Sequence, residues 1–445
     1  MKVLLQIRSN PAIHAASMAF AATPDISANL ATALPGVELD AAYPPVQVPT
    51  PQTLTGAALH SLSQPLAFSF EPQQSTYLLR GHIPDGPQRE QAISAALAHP
   101  SVVGVFSDPV IEGTLTCGTT PAVGDAVGVA KKLSVSKLTA AKMTGAGVRL
   151  AIVDTGINLA YLKQHGVALK VDAASSFVPA GVATTPGKHP VNHGTMCAFD
   201  AAIAAPQATF LDHAVLLSTT PGANKMAGLL SDAVLAYQKL RLVLQALPAA
   251  KRALVVSNSW GMFSPNSDFP PGHPGNYSDN PNHPFNIMVA SLEAAGADVL
   301  FAAGNCGKQC PDGRCDFGSQ LSICGANSHP SVLSVAGIDL NDKRVGYSSQ
   351  GPGRLTAKKP DISTYTHFLG SEVFAPEPDS GTSAACPVAA GVVAAVRSRY
   401  PTSKLSPLQL RALIHKTARP AGAAGFDYDY GYGILAVDRL IQALP

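Results

Sequence analysis

Nowhere does this chain hold an apolar run long enough to cross a bilayer: the strongest, Ala384 to Val396, stops well short of the roughly 20 residues a spanning helix needs. No membrane span is expected. Charge is sparse too. Only 13% of residues are charged, and the 31 basic and 29 acidic side chains are interspersed, with no Lys/Arg block of the kind that follows nucleic acid. Nucleic acid is therefore not an expected partner. Acidic side chains also fail to gather at the density of a convincing calcium site, which leaves Asp268 and Asp279 as weak candidates in the Pro-, Asn- and Ser-rich loop 263–286. The N-terminal "MKVLLQIRSNPAIHAASMAFAATP" lacks an unbroken hydrophobic core because Gln6, Arg8, Ser9, Asn10 and Pro11 interrupt it, so it reads as folded protein and not as a secretory signal.

The cysteines point the other way. Cys306, Cys310, Cys315 and Cys324 cluster, whereas Cys117, Cys197 and Cys386 are isolated. No C-x-x-C pair occurs in the cluster, so two local disulfides are expected in preference to a zinc site. Disulfides imply an oxidising compartment, while the missing signal leaves the cytoplasm as the default. Localisation stays open at this point.

What the chain does have is length and an ordinary apolar content: 445 residues at 46% hydrophobic suffice for a large core and a smaller domain. Residues 1–113 read as strand (Val3 to Ile7), small-residue helix, Pro-rich crossing (Leu34 to Thr53), strand (Thr76 to His82), helix (Arg89 to Ala98) and strand (Val102 to Phe106). That order fits a small ferredoxin-like α+β domain. Residues 114–128 continue a stretch poor in bulky apolar side chains and read as a linker. From 129 to 445, apolar runs such as "VRLAIVD", "ATFLDHAVL", "ALVVSNSWG", "ADVLFAAGN" and "SVLSVAGID" alternate with helical patterns at 223–247 and 284–295. The expected fold class is α/β, a parallel sheet covered on both faces, with active residues at the carboxyl ends of strands.

Four polar residues stand where such a sheet exposes them. Asp154 ends "LAIVD", His193 opens the small-residue helix "NHGTMCAFDAAIAA", Asn305 closes "LFAAGN", and Ser383 opens "SGTSAACPVAAG". Singly, each has a plain reading: Asp154 caps the next element, Asn305 is a turn amide and Ser383 is a helix cap. Together they supply a hydroxyl, a base to take its proton, a carboxylate to hold the imidazole and an amide to meet a developing oxyanion. Small neighbours around Ser383 would let a substrate backbone approach it.

"AIVDTGIN", "NHGTMCA", "AAGN" and "SGTSAACPVAAG", in that order, together with "DYGYGILAVDRLI", resemble the signature segments of subtilisin-like serine proteases over about residues 145–440. The resemblance implies a subtilisin-like catalytic domain and a serine endopeptidase acting through an acyl-enzyme. It assigns Asp154, His193 and Ser383 to the triad and Asn305 to the oxyanion hole, with no cofactor required and structural calcium only as a family habit. "VSNSWG" resembles the family's substrate-pairing edge, so Ser257, Asn258, Ser259, Trp260, Gly261 and Gly304 are expected to bind a protein or peptide substrate. The single tryptophan, Trp260, is either a core anchor or a subsite wall. Residues 1–113 resemble the family's propeptide, which implies an intramolecular inhibitor and a self-cleavage site in the linker; a permanent N-terminal domain is the other reading, and the chain is expected to be a monomer.

Some segments depart from the family pattern. Cys197 and Cys386 stand where small aliphatics are more usual, and as buried cysteines they read as small hydrophobes. "KKPDISTYTHFLG" lacks the Ala-Pro-Gly turn common after the family's Pro-Asp, so the loop leading to Ser383 is expected to differ in shape. The cysteine cluster is expected to close a loop beside Asn305 that stiffens it or caps the cleft. Two rivals remain: a non-catalytic or permanently autoinhibited regulatory module, and an esterase, which would place its serine in G-x-S-x-G where Ser383 sits in Gly-Thr-Ser-Ala-Ala.

Overall fold

The computed structural model describes residues 1–51, 67–113, 116, 120–218, 225–263, 268–315 and 321–445. At its centre lies an all-parallel sheet of seven strands. Their spatial order is Lys170–Val171, Thr209–His213, Arg149–Val153, Leu254–Asn258, Ala297–Ala302, Leu333–Ile338 and Ile362–Tyr365. The inner strands are continuous apolar runs because both faces are covered: every residue of Leu254–Asn258, Ala297–Ala302 and Leu333–Ile338 is buried. Leu150, Ile152, Val255 and Leu300 face the helices His193–Ala202 and Thr382–Arg397. Ala151, Val153, Val256 and Phe301 face Leu230–Ala246 and Pro284–Ala294. Seven strands are what the resemblance implies, and five match the apolar runs of the sequence; the end strands Lys170–Val171 and Ile362–Tyr365 were not located there, one being two residues long and the other polar ("ISTY").

The helix Thr382–Arg397 is buried along all 16 residues. It lies so close to His193–Ala202 that a Cβ on Gly391 would stand 2.3 Å from the carbonyl oxygen of Ala201. The small residues thus serve helix packing. At the far end, the Arg397 guanidinium forms a buried two-bond pair with Asp298, Nε to Oδ2 at 2.5 Å and Nη2 to Oδ1 at 2.7 Å.

Residues 1–113 build a separate antiparallel sheet, order Glu38–Leu39, Thr76–His82, Lys2–Arg8, Val102–Ser107, with Val46–Val48 also on Thr76–His82. The expected single helix after the first strand is two, Pro11–Ala19 and Pro24–Ala33, each begun by a proline, whose fixed φ suits a first helical position. Within the Pro-rich crossing, short strands replace the expected irregular chain. One face of this sheet has its own core of Val3, Leu5, Ile7, Tyr77 and Leu79. The other face, through Leu4, Val46, Val48 and Leu78, shares a core with the helices Leu230–Ala246 and Pro284–Ala294. Polar contacts fix the docking: Tyr43 Oη donates to Ser231 O at 2.9 Å, Ser231 N donates to Asp108 at 2.7 Å, and Arg80 pairs with Asp40 and Asp232.

Of the expected linker, residues 114–115 and 117–119 lie outside the described residues. Its end is helical: Ala126–Lys132, capped by Asp125 accepting from Gly128 N, runs across residue 129.

Candidate active site

Asp154 directly follows the strand Arg149–Val153, and the turn after it presses against the start of the helix His193–Ala202. Only glycine permits that approach at position 194, since a Cβ there would lie 2.6 Å from Gly156 O. The Asn192 side chain caps the helix and Gly194 N donates to Thr155 Oγ1 at 2.8 Å, which fixes the first turn. His193 Nδ1 then stands 2.8 and 3.0 Å from the two carboxylate oxygens of Asp154, both side chains buried. An imidazole held through Nδ1–H presents Nε2 as its proton acceptor. That atom is buried and has no hydrogen-bond partner among the described residues.

Ser383 is the second residue of its helix. Its Oγ donates to Ser259 O at 3.4 Å, and Ser259 Oγ donates back to Ser383 O at 3.0 Å. One thiol touches all three: Cys197 Sγ lies 3.7 Å from Asp154 Oδ2, 3.8 Å from His193 Nδ1 and 3.5 Å from Ser383 O. Burial, reinforced by the charge of Asp154, pushes the Cys197 thiol well above its ordinary range, so it stays protonated there. Cys386, 3.7 Å from Asn258 O, is likewise pushed up by burial to about 12.

Asn305 is oriented by its acceptor side. Oδ1 receives Thr382 N at 2.9 Å and Thr382 Oγ1 at 3.0 Å, while Gly304 N donates to Thr382 Oγ1 at 3.0 Å. Nδ2 is thereby turned toward Gly381, where a Cβ would lie 2.8 Å from it. Gly381 has φ 80° and ψ 165°, a conformation open essentially to glycine alone.

The expected substrate segment divides in two. Ser257 and Asn258 belong to the buried strand Leu254–Asn258, where the Ser257 hydroxyl meets Cys386 Sγ at 3.7 Å and the Asn258 side chain donates to Leu300 O at 2.9 Å. Ser259 contacts Ser383, and Trp260–Gly261 forms an edge paired antiparallel with Val110–Gly113, whose other side pairs with Ala227–Leu229. The Trp260 ring is fully buried against Phe301 and Phe285, centroids at 5.1 and 5.8 Å, so it anchors the edge from inside.

Beside this edge, the cysteine cluster closes differently from two internal bridges. Cys306 and Cys315 are joined, Cys310 is also disulfide-bonded, and Cys324 is a free buried thiol whose Sγ points at Met262 O. Spacing alone carries no information on the direction of each Cβ. Sequence reasoning also passed over two buried acids near His193. Asp379 accepts from Ser371 N and Oγ at 2.6 Å each and is pushed up by burial to about 6. Asp200, farther along the His193 helix, is raised well above the carboxylate range by burial and by Asp379. Neither stands in a recognisable motif.

Asp268 does not fit a calcium ion. Its carboxylate already receives Ser107 Oγ, Phe269 N, Tyr277 N, Ser278 N and Ser278 Oγ, all donors, which makes it the organiser of its loop. Asp279 accepts from Gly272 N at 3.0 Å. Among the described residues the three-ligand grouping that could hold an ion is Asp154, His193 and Cys197 itself.

Comparison with known proteins bears on the same region. A profile of the Subtilase family matches residues 145–433. Subtilisin DY of Bacillus licheniformis is 26% identical over 317 residues, covering 70% of this chain and 96% of that protein. Subtilisin E of Bacillus subtilis (strain 168) is 26% identical over 300 residues, 67% of each chain. The subtilisin of Bacillus pumilus is 24% identical over 299 residues, covering 67% of this chain and 92% of that protein.

Proposed function

Because the chain belongs to the subtilase family and is a subtilisin-like serine peptidase, we propose that Ser383 is its nucleophile, His193 its general base and Asp154 the carboxylate that holds the imidazole. The observation that carries this reading is the buried His193–Asp154 contact at 2.8 Å, with Ser383 sharing the Cys197 thiol as a neighbour. Ser383 Oγ attacks the scissile carbonyl carbon as its proton passes to His193 Nε2. The C–N bond then breaks as that proton passes to the leaving amine, and water hydrolyses the acyl-enzyme by the reverse sequence. Asn305 Nδ2 and the backbone N–H of Ser383 receive the oxyanion.

Ser259 to Gly261 form the edge on which an extended peptide adds as a strand, with Gly304 shaping the opposite wall. Residues 1–113, read as a ferredoxin-like unit, serve as intramolecular inhibitor. The pairing of Val110–Gly113 with Trp260–Gly261 supports this, because it fills the edge with the chain's own backbone. The linker from residue 114 is the segment the enzyme cuts. The same occupied edge favours one second reading, a chain that stays locked and acts as a regulatory module.

Intact mass after incubation with a fluorophosphonate probe, beside Ser383→Ala, tests these readings. An adduct confined to wild type, on a fragment lacking residues 1–113, supports nucleophile and self-processing together. A labelled full-length chain removes the cleavage step, and no label on either protein removes the catalytic reading in favour of the locked module.

A further inference from the structure

Arg314 lies in the loop closed by the Cys306–Cys315 disulfide, one residue before its second cysteine. Its guanidinium is fixed from two sides. Asp312 takes Nε at 3.0 Å and Nη2 at 2.6 Å, and the Phe263 ring lies 4.5 Å from Cζ. The remaining reach goes to the strand on the substrate edge: Nη2 donates to Gly113 O at 2.9 Å, and Nη1 stands 3.3 Å from Glu112 Oε2. The pair is largely desolvated, with side-chain exposures of 17% for Arg314 and 7% for Glu112. Glu112 faces Gly261 in the antiparallel register and Gly113 faces Trp260, so Gly113 is the end nearer Ser259 and Ser383.

We propose that Arg314 is a specificity-determining residue of the peptidase, selecting a substrate with a carboxylate side chain at the position that pairs with Gly261. The inference rests on the reading that Val110–Gly113 lies as substrate residues before the scissile bond lie. Asp312 occupies Nε and Nη2, which leaves Nη1 to face the side chain opposite Gly261; a neutral side chain there removes the charge contact of that nitrogen, and a basic one adds repulsion. The bond to the Gly113 carbonyl is a backbone contact and is the same for every sequence, so it positions the strand without discriminating. The predicted substrates are thus peptides acidic at one defined place, which the chain's own "VIEG" at residues 110–113 already matches.

The test uses a fluorogenic peptide library in which Glu, Gln or Lys is fixed in turn at each of the four positions before the cut. Wild type, Arg314→Gln and Arg314→Lys are compared, and each ratio is taken within one variant so that the active fraction cancels. Wild type is expected to favour Glu over Gln by about tenfold or more in kcat/KM at a single position. Arg314→Gln should bring that ratio close to one while leaving the other positions unchanged, and Arg314→Lys should retain part of it. A Glu-to-Gln ratio near one in wild type, or one unchanged in Arg314→Gln, overturns the inference and leaves the peptidase reading standing. Cleavage of no library member, together with no fluorophosphonate label on Ser383, overturns the underlying reading and the inference with it.

Discussion

Gly381→Ala tests the oxyanion role proposed for Asn305 without touching the proposed triad. The alanine must hold φ 80° and ψ 165°, which costs a side-chain-bearing residue about 1–3 kcal/mol. Its methyl would also stand 2.8 Å from Asn305 Nδ2, closer than a Cβ tolerates. Asn305 cannot simply turn aside, because Oδ1 holds two donors of Thr382 at 2.9 and 3.0 Å at the first turn of the Ser383 helix. Relief therefore moves Nδ2 away from the site of the oxyanion. Losing such a donor costs about 2.7–4 kcal/mol of transition-state stabilisation, a range that comes from subtilisin itself. The expected outcome is a kcat lower by about 10²–10³ with KM little changed, alongside a lowered Tm. The assay is kcat and KM on a chromogenic peptide, normalised to fluorophosphonate-reactive sites, for Gly381→Ala, Asn305→Ala and the double variant. The double variant should be scarcely worse in kcat than either single one, since both remove the same donor. A Gly381→Ala enzyme with lowered Tm but kcat within about threefold of wild type refutes the role given to Nδ2.

Three further outcomes follow from buried groups. Burial pushes Asp108, which accepts from Ser231 N, up to about 7 in the docked chain. A raised carboxyl favours docking while protonated, so this contribution is full below about pH 4 and fades as pH rises through about 7; Asp108→Asn should remove that slope in hydrogen exchange of residues 1–113, and an unchanged slope refutes it. Cys197, Cys324 and Cys386 are buried, with pKa values raised by burial, so iodoacetamide at neutral pH should leave activity intact and modify them only after unfolding, as peptide mapping would report. Arg397→Ala leaves Asp298 buried without its guanidinium, and denaturant unfolding should register a loss of about 3–5 kcal/mol.

The parallel sheet was legible because its inner strands are unbroken apolar runs bounded by glycine, and only a strand covered on both faces can carry such a run. Asp154, His193, Asn305 and Ser383 were legible as candidates for a related reason: each sits in a short contiguous segment where strand end or helix start dictates the neighbours. Arg314 could not be singled out, since its Gly113 partner is 201 residues away and nothing in "DGRCD" distinguishes it from any loop arginine. The free state of Cys324 was hidden in the same way, by side-chain direction and not by spacing. At Trp260 the sequence permitted two orientations, and the aromatic pocket of Phe285 and Phe301, contributed by separate elements, decides for the interior. Asp268 looked like an isolated loop acid because the five donors that surround it come from positions as distant as Ser107.

Val110–Gly113 is covalently continuous with the protein whose edge it occupies. Its occupancy is therefore unimolecular, set by an effective concentration that the docked N-terminal sheet fixes and that the amount of protein in solution does not alter. A single cut after this strand would change the order of the reaction. From then on, rebinding of residues 1–113 would compete at their actual concentration, and simple dilution would release the edge that no dilution can release in the intact chain.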